Sequence, residues 1–110
     1  MKNIDGIVCT VDLLESTTTE GSMVWNEAQT EQYKAPQHST VKCRVTCQNR
    51  QLSEDVNVFL VRESFAIAKR HGCKMQHSGG MTNNWNAIKF GVTFHGENSD
   101  VCANELLLSL

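Results

Sequence analysis

Thr40-Val41-Lys42-Cys43-Arg44-Val45-Thr46-Cys47, together with the apolar-rich segment from Ser53 to His71 that follows it, decides the fold. In the first stretch Val41, Cys43, Val45 and Cys47 alternate with Lys42, Arg44 and Thr46, the period of two that gives a strand one buried face. The second carries helix signals at both ends. Ser53 or Asp55 supplies a cap, Glu54 and Asp55 suit the positive end of the dipole, and Lys69 and Arg70 suit the negative end. Gly72 then stands where a left-handed residue closes a helix. Within this helix Val58, Val61, Phe65 and Ala68 form one apolar stripe and Val56, Phe59, Leu60 and Ile67 another, more than one sheet surface needs. The competing division makes Val56 to Arg62 a strand beside the Thr40 to Gln48 strand and shortens the helix to Glu63–Arg70.

Two further strands show the same one-sidedness. Ile7, Cys9, Val11 and Leu13 alternate with Val8, Thr10 and Asp12, and Ile88, Phe90, Val92 and Phe94 alternate with Lys89, Gly91, Thr93 and His95. Such strands belong to an antiparallel sheet with one wetted face, since strands covered on both faces read as continuous apolar runs. Between these anchors, Ser16 to Ser22 reads as a turn and Met23 to Lys34 as a hairpin entered through Val24 and Trp25. Cys73 to His77 reads as a short strand, and Ser78 to Asn84 as a connection into a strand over Trp85 to His95. Near the end, Asn98 or Ser99 caps a short helix bearing Val101, Cys102, Leu106 and Leu107, or Glu105 to Leu110 adds an edge strand. The expected fold is therefore α+β: a mainly antiparallel sheet of about four to five strands, one long helix on its apolar face, and a short C-terminal helix or edge strand.

Composition bounds the rest. With 110 residues, 40% of them hydrophobic and 20% charged, residues 1–110 are expected to form a single domain with an ordinary core. Apolar runs such as Val58 to Val61 fall well short of the roughly 18 to 20 residues that cross a bilayer. The start, Met1-Lys2-Asn3-Ile4-Asp5-Gly6, lacks the apolar segment of a secretion signal. Five cysteines, an odd number, fit thiols in a reducing compartment, so a cytoplasmic protein is expected. The net charge of −2 is dispersed, with no basic stripe to displace counterions, and nucleic acid is not an expected partner.

Among chemical motifs, zinc is the sharpest to test. Cys43 and Cys47, with His71, Cys73 and His77, are ligand types that hold the ion. On one strand Cys43 and Cys47 stand about 13 Å apart, whereas two thiolates on one ion stand about 4 Å apart. Cys9, Cys43 and Cys47 are therefore expected as buried core thiols, and no metal or cofactor is expected. No segment resembles a nucleophile elbow, a redox Cys-x-x-Cys or a phosphate loop. Trp25, Tyr33, Met81 and Trp85 stand in polar surroundings, and His95 shares a wetted strand face with Lys89, making these five the candidate binding residues. Together with the second helix stripe and the C-terminal leucines, they predict an accessory or binding protein that acts through protein contact, with a homodimer favoured. The alternative is a compact small-molecule-binding or enzymatic domain in which His71, His77 or His95 meets a thiol or carboxylate in a cleft.

Overall fold

The computed structural model describes residues 1–81 and 86–110. In chain order the elements are β1 (Lys2–Ile4), β2 (Ile7–Thr19), β3 (Met23–Trp25), β4 (Gln32–Lys34), β5 (His38–Cys47), α1 (Arg50–His71), β6 (Lys74–Met81), β7 (Ala87–His95) and α2 (Ser99–Leu108). Five strands form one antiparallel sheet in the order β1-β2-β5-β7-β6, while β3 and β4 form a separate two-stranded ribbon. The architecture is α+β, as the alternation and the helix signals predict.

Register explains why one face is apolar. Val11, Val45 and Ile88 stand side by side across three strands, as do Cys43 with Phe90, Val41 with Val92, and Ser39 with Phe94. Both helices cover this face. Val56, Leu60, Ile67 and Ala68 of α1 and Cys102, Ala103 and Leu106 of α2 complete the core. Each large aliphatic or aromatic side chain withdrawn from water here contributes about 1.5–3 kcal/mol. The opposite face carries Asp12, Arg44 and Lys89 in one cross-strand row and Thr40 and Thr93 in another, and neither α1 nor α2 lies over it.

The long helix exists as one piece, and Val56–Arg62 lies within it rather than forming a strand. Its start differs from the expected one. Asn49, not Ser53 or Asp55, is the cap: its side chain accepts the Leu52 N–H at 2.9 Å, an interaction worth about 1 kcal/mol. Ser53 is buried one turn in, where its hydroxyl accepts the Cys47 N–H at 3.1 Å and donates to the Asn86 carbonyl, pinning α1 to the ends of β5 and β7. At the other end Gly72 adopts φ 70°, its N–H reaching the Lys69 carbonyl while the Cys73 N–H reaches that of Ala68. This paired closure is a Schellman motif, for which the sequence places the glycine correctly.

Two stretches of expected turn are strand instead. Ser16 to Thr19 continues β2 to a pairing of Thr19 with His38, past a bulge between Leu13 and Glu15. The bulge shifts the alternation, so that Ser16 and Thr18 take over the inner face from Cys9, Val11 and Leu13. Polar composition suggests a turn, but threonine fits a pleated surface well, and Thr18 shares a 2.7 Å hydroxyl hydrogen bond with Ser39. Similarly β6 runs through Gly79 to Met81, where a Cβ on Gly79 would stand 2.6 Å from the Lys89 carbonyl oxygen. Glycine there marks close strand approach, not a loop. Leu106, Leu107 and Leu108 belong to helix α2, not to an edge strand. Asn98 precedes it but makes no side-chain capping bond; its side-chain N–H donates to the His71 carbonyl at 3.3 Å.

Candidate functional site

The hairpin expected between Met23 and Lys34 is present, and it stands apart from the core as an arm. Its tip is organised by Asn26, whose side-chain oxygen accepts the Thr30 N–H at 2.9 Å while its amide donates to the Thr30 hydroxyl at 3.0 Å. The Asn26 backbone closes the turn by bonding to Gln29 and Glu31, each at 3.0 Å. At the root the Ala35 N–H bonds to the Ser22 carbonyl at 2.9 Å, and the two strands approach so closely that a Cβ on Gly21 would collide with the Ala35 carbonyl. The chain leaving the arm is tied down by Gln37, whose carbonyl accepts the Gly96 N–H at 2.8 Å and whose amide donates to Ser99 at 3.1 Å.

On this arm Met23 is 57% exposed, Trp25 56% and Tyr33 53%. Met23 and Trp25 share one face of the ribbon, since they are two residues apart on β3; Tyr33 pairs with Val24 on the other. None of the three belongs to the core cluster. Of the five candidate residues, Trp25 and Tyr33 thus share the arm, on its opposite faces. His95 sits toward the arm's root on the open face, its ring 5.8 Å from that of His38 and its Nε2 3.3 Å from the Gln76 side-chain oxygen. Met81 lies at the far end of the sheet, paired with Ile88, and Trp85 lies outside the described residues. Sequence inspection passes over Met23, which its two-residue spacing from Trp25 in a hairpin strand would have revealed.

No family model, curated protein or solved structure matches this chain. Its chemistry therefore rests on its own geometry. The histidines of the alternative cleft occupy separate places. His71 bonds to Glu105 at 2.7 Å, a carboxylate it shares with Arg70 at 3.0 Å, and so ties α1 to α2. His77 lies on edge strand β6 with its ring 5.6 Å from that of Phe90, and His95 is on the opposite face. Among the described residues no three His, Cys, Asp or Glu side chains gather closely enough to share a metal ion. A groove of about 540 Å³ does open at one end of the sheet, lined chiefly by Ile7, Val8, Leu52 and Cys47. No histidine or carboxylate is among its described lining residues.

Cys9, Cys43 and Cys47 are all buried on the inner face, and Cys102 is buried beneath α1. Burial pushes the Cys43 thiol from 9.0 up to about 11, and burial with a hydrogen bond to Cys73 pushes Cys102 up to about 12. Cys9 is raised by burial and by Cys47. A thiol raised on folding keeps its proton where the unfolded chain has released it. Its contribution to stability is therefore whole below about pH 9 and is lost as the pH rises through 11 to 12. Urea midpoints should fall across that alkaline window, and replacing Cys43 and Cys102 by alanine should flatten the fall. An equal alkaline slope in the double variant would assign the effect to other groups.

Proposed function

We propose that this chain is a small accessory protein that acts by holding a protein partner on its β3–β4 arm, through Met23, Trp25 and Tyr33. The observation that carries the proposal is the exposure of these three large side chains on a hydrogen-bonded ribbon outside the core. Aromatic and methionine side chains are enriched at interface centres, and paired strands present them at a lower ordering cost than a loose loop. A second copy of the chain is the first partner to test. The sequence has more apolar surface than its layers can cover, and the structure leaves Val58 and Phe65 of α1 and Val101 and Leu108 of α2 on the outside. No helix among the described residues is long and apolar enough to cross a membrane. The free thiols fit a cytoplasmic setting.

A photo-reactive amino acid at position 23, in cells of the native host, tests the arm against the same probe at Gln51 on the exposed side of α1. Position 23 should yield one discrete cross-linked protein that position 51 does not; a product of twice the chain's mass would identify a second copy. Identical products from both positions would remove the arm from the interface. Light scattering on purified chain then reports whether the copies associate unaided, with a stable monomer directing the search to a different protein.

The apolar groove beside Cys47 favours a second reading, a compact domain that binds a small apolar molecule. It draws on one concavity, whereas the arm offers three exposed anchors.

A further inference from the structure

The odd number of cysteines resolves, in three dimensions, into facing pairs with one left over. Cys9 of β2 and Cys47 of β5 are direct cross-strand partners, both buried on the inner face. The Cys47 N–H is shared between the Ser53 hydroxyl at 3.1 Å, which itself donates to the Asn86 carbonyl, and that carbonyl at 3.4 Å; the Cys47 carbonyl accepts the Asn86 side-chain amide at 3.0 Å, so both polar groups turn toward β7 and away from β2. Toward β2, Cys47 is consequently in a non-hydrogen-bonded pair, the closer of the two antiparallel types, with Cα atoms about 4.5 Å apart. That spacing falls inside the roughly 4.4–6.8 Å range of disulfides.

Register sets Cys43 apart from both: its partner on β2 is Leu13, four residues beyond Cys9. Cys43 faces the same way but lies four residues from Cys47 along β5, about 13 Å away at 3.3 Å per residue. Its own cross-strand neighbours are Leu13 and Phe90. Cys73 and Cys102 meet each other at the C-terminal turn of α1, where their thiols contact the His71 and Ile67 carbonyls respectively. Access is also one-sided. Cys47 forms part of the wall of the apolar groove at the sheet's end, while Cys9 is not among its lining residues.

We infer that Cys9 and Cys47 are an oxidisable pair that closes a disulfide between β2 and β5 by exchange with a small uncharged disulfide entering this groove. In the first step the Cys47 thiolate attacks the reagent, forming a mixed disulfide and releasing one thiolate. In the second, the Cys9 thiolate attacks the Cys47 sulfur and expels the other half of the reagent as a second thiolate. Two protein thiols are oxidised by two electrons, one reagent disulfide is reduced to two thiols, and the protein's two protons pass to the products. The product bridges the β1–β2 edge of the sheet to its centre, next to the cap of α1.

Incubation of the reduced, folded chain with hydroxyethyl disulfide, followed by acid quenching and peptide mapping, tests the pair. The wild type should lose both thiols into a Cys9–Cys47 cross-linked peptide, with no reagent retained on either residue. Cys9→Ser should instead stop at a mixed disulfide on Cys47, and Cys43→Ser should close as the wild type does. Cys9→Ala serves in place of the serine variant if the buried hydroxyl unfolds the chain. A wild type that stops at the mixed disulfide, a cross-link involving Cys43, or both thiols remaining reduced while Cys73 reacts would each overturn the inference. A separate Cys73–Cys102 peptide is distinguished by its mass and leaves the result at Cys9 and Cys47 to decide.

Discussion

Replacing Phe94 by alanine should cost about 3–5 kcal/mol of unfolding free energy, the range for removing a large aromatic ring from a packed core. Phe94 has no exposed surface, stands between Ser39 and Met75 on the inner face of the sheet, and belongs to the core that both helices seal. Its ring cannot be replaced by water, and the cavity cannot collapse without moving a helix. Domains of this size hold roughly 5–15 kcal/mol in all, so the loss should take a large share and lower the urea midpoint steeply. Phe65 is the matched control. It is 58% exposed on the outside of α1, and Phe65→Ala should change stability by no more than about 0.5 kcal/mol. Similar losses in the two variants would mean that the outer face of α1 is covered in the dilute folded protein, which would itself point to a stable dimer.

The contrast between these two phenylalanines also shows what the sequence makes legible. Period-two alternation places Phe94, Phe90, Val41 and Val45 on the inner face because a one-residue slip would expose the entire set. The same logic buries Cys9, Cys43 and Cys47. On α1 the sequence shows two stripes, but not which one meets the sheet; the structure buries Val56, Leu60 and Ile67 and leaves Phe65 outside. Where local composition and long-range pairing disagree, pairing wins. Thr17 and Thr18 look like turn residues but extend β2 because β5 lies alongside them, a fact encoded downstream in their partners Thr40 and Ser39. Asn49 is passed over as a cap because Ser53 offers the same chemistry closer to the apolar run, and only the buried bonds of Ser53 to Cys47 and Asn86 show that it has another task. The candidate site is half legible. Tryptophan and tyrosine in polar surroundings identify the arm, but nothing in the sequence places His95 and Met81 at opposite ends of one strand ladder.

Trp25→Ala should weaken binding of the cross-linked partner by about 2 kcal/mol or more, roughly 30-fold, while leaving the urea midpoint unchanged. The two halves of this expectation come from the same geometry. A tryptophan 56% exposed on a ribbon outside the core has little to lose on folding, but presents a large amphipathic surface to a partner at small cost in side-chain entropy. Tyr33→Ala should also weaken binding if the partner wraps the ribbon, since Tyr33 lies on the opposite face from Trp25 and Met23. Gly21→Ala provides an independent test of the frame. A methyl group there runs into the Ala35 carbonyl, so the root must open and shift all three anchors without touching any of them. Affinity measured by calorimetry should therefore fall in Gly21→Ala as in Trp25→Ala, with the core's unfolding transition intact in both. If Trp25→Ala instead lowers stability and spares affinity, the tryptophan braces the arm and the partner reads another surface, with the outer faces of α1 and α2 next to be tested.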